Sequence, residues 1–248
     1  MGVNKMLSVS KENFIDFIQI YMREGDKCLD VGSGDGELVS ILLRRGKDVI
    51  GIDVEFKGNR DVTKQLISNG KLLKIDVESR ENQADGLVWP IPDGEIDFLF
   101  TRAVLEHVPS LKDFAVEQDR VLSTRGLAIH YFPSKFSLIE PHIGVPLGAV
   151  FQSLWYYRVC DSMGLINPKW QGRPDDAFKY MKNFTFYSQS SNAKNILGRK
   201  GLRFKDITKQ FLASHPSCLI RIASRAVLFV VLFRVLRSRV ILLTRESG

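Results

Sequence analysis

The chain of 248 residues is long enough for one large domain or for one domain carrying a sizeable insertion. Its 44% hydrophobic and 25% charged residues are ordinary for a soluble globular fold, and Cys28, Cys160 and Cys218 form no CxxC pair, which argues against a disulfide framework or a zinc site. The net charge of +7 is uneven: from Arg199 onward eleven Lys/Arg face two acids, so this end carries +9 and the rest about −2. That basic end suits an anionic partner or a membrane surface better than a protein that binds nucleic acid along its whole length; a solvated basic face is the plainer alternative.

The opening residues, MGVNKMLSVSKENF, lack the apolar run and small-residue cleavage site of a secretory signal, so a cytoplasmic location is expected. Ser10 is placed to cap a first helix with Phe14, Phe17, Ile18 and Tyr21 at helical spacing. Lys27–Val31 reads as a short buried strand, Glu37–Arg45 as a helix stopped by Gly46, and Asp48–Asp53 as a second strand. Together they make a βαβ unit with a right-handed crossover. A weaker third strand is expected at Leu72–Val77, and a strong fourth at Ile96–Thr101 after the turn Pro92-Asp93-Gly94. Ser110, with Asp113 three residues on, opens a helix that ends at Arg125-Gly126, before a fifth strand at Leu127–Phe132. This alternation predicts an α/β fold with a parallel sheet and helices on both faces.

After Pro133 the rhythm breaks. Residues 133–187 hold five of the nine prolines and two of the three tryptophans, which suggests an aromatic insertion or substrate lid. The chain thus divides into a cofactor-binding core at 1–132, the insertion at 133–187, and the end of the core at 188–248. In that last part a helix around Ser190–Arg199, a strand near Leu202–Thr208 and a final strand at Val240–Thr244 are expected. Ser217–Ser238 is rich in Leu, Val, Phe and Ile, but its central uncharged stretch, Ala226–Phe233, is only eight residues, too short to cross a bilayer. Two readings remain: a helix packed on the sheet, which we favour, or one lying in a membrane interface with snorkelling arginines.

The chemistry sits in Asp30-Val31-Gly32-Ser33-Gly34-Asp35-Gly36, between the first strand and its helix. Glycines there allow a sharp turn and close backbone approach to a ligand. A dinucleotide fingerprint needs its third glycine at 37, which is Glu37, and Asp35 and Glu37 would repel a pyrophosphate. A ligand bearing an amino group and a sulfonium tolerates both acids, so an NAD-dependent oxidoreductase is disfavoured. Asp53, at the end of the second strand, can accept hydrogen bonds from both hydroxyls of a ribose. For an adenine amino group Asp76 and Asp85 compete, with Asp76 preferred because it ends the more strand-like run. A helix-entry turn and solvated strand-end carboxylates would explain each feature singly, but less well in combination.

These segments resemble the class I S-adenosylmethionine-dependent methyltransferases, closest to the ubiquinone and menaquinone biosynthesis group. The resemblance rests on LDVGSGDGELVSILLRRG, GIDV, WPIPDGEIDFLFTRAVLEHV, RVLSTRGLAIHYFP and TFYSQSSNAKNILGRKGL. It implies a Rossmann-like, mostly parallel seven-stranded sheet of order 3-2-1-4-5-7-6, with the last strand antiparallel and here an insertion after strand 5. It also implies S-adenosylmethionine as cofactor, its methionine part on Asp30, Gly32, Ser33 and Gly34, its ribose on Asp53, and its sulfonium bordered by Thr101, Arg102 and Ala103.

Methyl transfer is an in-line displacement, so the enzyme positions donor and acceptor and lets a proton leave. The preferred base is His142 with Glu140 as its orienter, because they open the insertion near the C-terminal edge of the fifth strand. His107 is a further candidate, more readily explained as a helix-turn histidine, and His130 reads as a strand-end residue. No metal is expected. Enzymes that methylate base amino groups resemble one another in an Asn/Asp-Pro-Pro-aromatic loop; this chain has TRAVLEHV, so nucleic acid is not the expected partner. The expected acceptor is a small organic, glycan or lipid-linked hydroxyl, with a peripheral membrane contact through the basic C-terminal region. EPHIGVP adds a resemblance to methyltransferases of polysaccharide biosynthesis. The rival classes are a membrane-docked lipid or quinone methyltransferase and a cofactor-binding module without catalysis.

Overall fold

The computed structural model describes residues 10–56, 61–76, 88–198 and 202–245. Strands β1 (Lys27–Val31), β2 (Asp48–Asp53), β3 (Leu72–Lys74), β4 (Ile96–Arg102), β5 (Leu122–Pro133), β6 (Leu202–Asp206) and β7 (Ser238–Arg245) form one sheet of order β3-β2-β1-β4-β5-β7-β6. Neighbours from β3 to β5 pair parallel, and β7 runs antiparallel to both β5 and β6. The expected order and the antiparallel seventh strand are both present.

Side chains that alternate along the strands build two cores, one on each face. On one face Cys28, Phe98, Phe100, Ile129 and Val240 pack against helix α1 (Lys11–Gln19) through Phe14, Phe17 and Ile18, and against α2 (Glu37–Arg44) through Leu38, Val39 and Leu42. On the other, Leu29, Leu99, Ala128, Ile241 and Leu243 meet Leu111, Phe114 and Val121, which belong to the Leu111–Val121 helix. Caps mark the helix starts where the sequence places them. Ser10 Oγ accepts from Asn13 N at 3.1 Å, and Ser110 Oγ from Asp113 N at 3.3 Å.

Several boundaries differ from expectation. A helix not foreseen, α3 (Asp61–Ser68), precedes β3; its apolar periodicity is short, and only Thr63 and Leu66 are buried. The Leu111–Val121 helix, α4, ends before Arg125-Gly126, which lies inside β5; that strand starts at Leu122 with an irregular register against β4. β3 stops at Lys74, and Val77 falls outside the described residues.

The insertion contains α5 (Leu154–Ser162) and α6 (Pro174–Phe184). It has its own small core, where Ile143, Val145, Tyr157, Trp170 and Met181 meet Tyr187. The expected helix around Ser190–Arg199 is two short ones, α7 (Tyr187–Ser191) and α8 (Ala193–Leu197); Arg199 lies outside the described residues. After α9 (Thr208–Ala213), the apolar C-terminal segment also divides, at Ser224-Arg225-Ala226, into α10 (Cys218–Ala223) and α11 (Val227–Leu236). Val230 and Phe233 of α11 pack on Leu212 of α9 and Ile220 of α10, so one side of this helix is covered, by neighbouring helices where packing on the sheet was expected.

Candidate active site

The glycine loop turns at the C-terminal end of β1. Gly32 N and Ser33 N both donate to Ile52 O, at 2.8 and 3.1 Å, and Gly34 N donates to Asp53 Oδ2 at 2.7 Å. Asp53 therefore ties the loop to the end of β2. Gly32 has φ +77°, and a Cβ there would lie 2.4 Å from Val104 Cγ2. Gly34 has φ +57° with nothing within 4 Å of its Cβ position, so the loop faces open space at that residue. Lys11 Nζ reaches Glu37 at 2.5 Å and Asp35 at 3.6 Å, compensating both acids of the loop.

Beneath this loop lies Asp30, 1% exposed, whose Oδ2 has no hydrogen-bond partner among the described residues. Burial, then the nearby carboxylate of Asp53, push its pKa up to about 8, against the pull of Lys11 and Arg102. Ser33 Oγ is likewise buried without a partner. A buried acid held this far from its ordinary value marks a place where a cationic ligand group would be favoured.

One strand away, β4 ends in Thr101 and Arg102, and Ala103 follows it. Thr101 Oγ1 lies 2.9 Å from His130 Nδ1, so its hydroxyl is turned into the sheet toward β5. His130 is fully buried, and burial lowers its pKa to about 3, which keeps the ring neutral. Ala103 adopts φ +57°, the left-handed region that a side chain rarely enters, and its N donates to Tyr131 O at 2.7 Å. Arg102 and Ala103 line a cleft of about 210 Å³ together with Glu106, Tyr131, Ser137, His142, Arg237 and Ser238. A depression at the opposite end of the strands is lined by Lys27, Asp48, Lys71 and Glu95, whose charges are paired as Lys27–Glu95 and Lys71–Asp48. It offers no uncompensated group for chemistry.

His142 and His107 meet at the cleft. Glu140, fully buried, accepts from His142 Nδ1 at 2.5 Å and Tyr187 OH at 2.7 Å on Oε1, and from His142 N and Ile143 N on Oε2. Burial alone would raise the Glu140 carboxyl; the hydrogen bond and charge of His142, with Tyr187 and Ile143, outweigh it and hold it below its ordinary value. His107 Nδ1 lies 2.6 Å from Phe184 O, and its Nε2 is 3.0 Å from His142 Nε2. The Leu105–His107 3-10 turn also buries Glu106, both of whose carboxyl oxygens lack a hydrogen bond among the described residues. Burial is the first cause that raises Glu106 to about 7. Glu106, His107 and His142 each bring one ligand atom within 4.8 Å of the others, a set able to hold a cation.

Residues 29–130, which hold the glycine loop, Asp53 and the end of β4, match the family described as "Methyltransferase domain". Over this stretch, about two fifths of the chain, the protein resembles the class I S-adenosylmethionine-dependent methyltransferases. Among individual relatives, the ubiquinone biosynthesis O-methyltransferase of Thiobacillus denitrificans is 34% identical over 85 residues, 34% of each chain. The 27-O-demethylrifamycin SV methyltransferase of Amycolatopsis mediterranei is 31% identical over 109 residues, 42% of this chain and 38% of that one. The chain thus matches little more than a third of the length of these curated relatives. Among solved structures, the [4+2]-cyclase SpnF is 14% identical with a TM-score of 0.50, covering 96% of this chain and 82% of its own, a likeness of fold.

Within this matched stretch, Asp30, Gly32, Ser33, Gly34 and Asp53 converge at one end of β1 and β2. Arg102, Ala103 and His142 share the neighbouring cleft, and His107 and Glu140 flank His142. Asp76 is exposed, two residues past β3, and Asp85 lies outside the described residues. Sequence reasoning did not single out Glu106, Tyr187 or Lys11. Glu106 stands beside His107 in LEHV, but nothing in that motif announces its burial. Tyr187 and Lys11 carry no local signal, because their partners are 47 and 26 residues away.

Proposed function

We propose that the protein transfers the methyl group of S-adenosylmethionine to a hydroxyl of a small organic, glycan or lipid-linked acceptor, with the His107–His142 pair taking up the hydroxyl proton. The carrying observation is the Nε2–Nε2 distance of 3.0 Å. Each Nδ1 faces a group that only accepts, Phe184 O or the Glu140 carboxylate, so each Nδ1 bears the ring proton and each Nε2 presents a lone pair. Two facing lone pairs repel unless one proton lies between them. That proton site, on the wall of the cleft, is where an acceptor's proton would go.

The residues present fit the cofactor. The unpartnered buried oxygen of Asp30 suits an amino group, and the open space at Gly34 admits the methionine part beside Gly32 and Ser33. Asp53 would meet the ribose, with Asp76 nearest in sequence for adenine. Arg102 and Ala103 would border the sulfonium, and Thr101 would support them through His130. When bound, the cofactor supplies an electrophilic methyl group on its sulfonium. Glu140 and Tyr187 hold the His142 ring in one tautomer and orientation, and Phe184 O does the same for His107.

The relatives named as O-methyltransferases support a hydroxyl acceptor. The test is a calorimetric titration of S-adenosylmethionine, then an acceptor screen with labelled methyl donor. Gly34→Arg is the informative variant, because its Cβ meets no protein atom whereas any side chain at Gly32 strikes Val104; since φ +57° strains any side chain at Gly34, a thermal melt must show that the variant folds. Saturable binding lost in Gly34→Arg supports the reading; a well-folded wild type that binds nothing overturns it. A second reading places a divalent cation, rather than a proton, among Glu106, His107 and His142, favoured by the unpartnered Glu106 carboxyl.

A further inference from the structure

Helix α11 is apolar but for Arg234, and it is covered on only one side. Val230 and Phe233 are buried against Leu212 and Ile220. Val227, Leu228, Val231, Leu232 and Val235, at spacing i, i+1, i+4, i+5 and i+8, form a single exposed stripe; Val227 and Leu228 are 75% and 70% exposed. Leu219 and Ile222 of α10 add two more exposed apolar side chains. A run of this kind on the surface marks an interaction site.

Charge decides the occupant. Between Ile207 and Arg245 the sequence holds seven Lys/Arg and no acid. Arg234 is tied to Asp206, Arg245 to Asp119, and Arg221 to the carbonyls of His215 and Pro216. Arg225 stands exposed at the break between α10 and α11, and Arg237 and Arg239 follow the far end of α11. A second copy of the chain on this face would set like charge against like across a twofold axis. An anionic headgroup layer would compensate the arginines while its acyl boundary takes the valines and leucines. Ten residues rise only about 15 Å, half a hydrocarbon core, so the helix would lie in the interface. Among the described residues no helix is long and apolar enough to cross a membrane.

We propose that the α10–α11 face docks the protein on an anionic phospholipid surface. The same element reaches the cleft. Leu138 N donates to Leu236 O at 3.0 Å, Ser134 N donates to Arg237 O at 2.9 Å, and Arg237 and Ser238 line the cleft wall. Phe136 and Leu138, half exposed on the adjoining insertion, extend the apolar rim. Resting on the acceptor-cleft reading above, this deepens the acceptor class to an amphiphile anchored in the bilayer with its hydroxyl at headgroup level.

The experiment is flotation of the full chain with vesicles of phosphatidylcholine alone and of phosphatidylcholine with phosphatidylglycerol. The expected result is binding that rises with phosphatidylglycerol, falls with salt, and weakens about tenfold or more in the double variant Val231→Glu, Leu232→Glu. Trp155→Glu, at an exposed aromatic residue on the insertion, should bind as wild type does. Thermal melts confirm that the variants fold. No vesicle binding by wild type, or equal binding by the double variant, overturns the proposal. So does a dimer in solution that the double variant dissociates while vesicles bind neither. Since flotation needs neither cofactor nor acceptor, its failure is separable from failure of the catalytic reading.

Discussion

His107 Nε2 and His142 Nε2 stand 3.0 Å apart, two ring nitrogens brought together across 35 residues of chain, with the rings crossing at 79°. Each ring has its other nitrogen engaged by an acceptor, so the pair is set to share a single proton. Replacing His142 with Asn should lower kcat for methyl transfer by about 10²–10⁴, the usual range for loss of a general base, while S-adenosylmethionine affinity stays within about twofold. Single-turnover rates beside calorimetry of both proteins check this; unchanged turnover would remove the pair from the mechanism.

The same distance bears on the cation reading. Two nitrogens bound at about 2.05 Å to a tetrahedral ion lie about 3.3 Å apart, whereas 3.0 Å is an N–H···N hydrogen-bond length. Protein dialysed against a chelator should therefore keep its methyl-transfer activity. Loss on chelation, restored by adding a divalent metal, would move the assignment to Glu106, His107 and His142 as ligands.

Asp30 gives the free protein a pH dependence with a definite sign. Its folded pKa, about 8, lies above the ordinary 3.8, so the folded chain keeps a proton that the unfolded chain releases. The stability this contributes is full below about pH 4 and is lost as pH rises toward 8. Denaturant melts across that window should show the decline, and Asp30→Asn should flatten it. A cationic amino group seated on Asp30 favours the ionised form, so S-adenosylmethionine should bind more tightly as pH rises from about 6 to 8, with proton release. Calorimetry in buffers of different ionisation enthalpy reads that proton directly. Affinity that does not vary with pH would separate Asp30 from the ligand.

Glu140 accepts from four donors: His142 N, Ile143 N, His142 Nδ1 and Tyr187 OH. An amide has one accepting oxygen, so Glu140→Gln leaves donors facing an NH₂ group in a buried site. We expect a stability loss of about 1–3 kcal/mol in denaturant melts, together with a fall in kcat that leaves cofactor affinity unchanged. Tyr187→Phe, which removes one of the four donors, should show a smaller loss of both. If Glu140→Gln melts as wild type does, the network is not what positions His142.

Local patterns made much of this protein readable. Ser10 and Ser110 cap their helices because a side-chain oxygen three residues before an orphan N–H needs no distant partner. The loop glycines, and Asp53 at the end of β2, follow from the backbone geometry of one βαβ unit, which spans few residues. Where the patterns were short, the reading was less complete: α3 buries only two side chains, and the apolar stretch 218–236 gives no sign that it breaks at Arg225.

The sequence by itself determined the sheet's alternating cores, the glycine loop with its acids, and a basic apolar segment too short to span a bilayer, because each is a periodicity or composition within some twenty residues. Only the tertiary structure decided that the Glu106 carboxyl is buried with no hydrogen bond among the described residues, that His107 meets His142, and that one side of α11 is packed while the other is bare. The physical reason is common to all three. Burial and hydrogen-bond partnership are properties of the space around a side chain, and that space is filled by elements distant in sequence, as β4 and the insertion are where the two histidines meet.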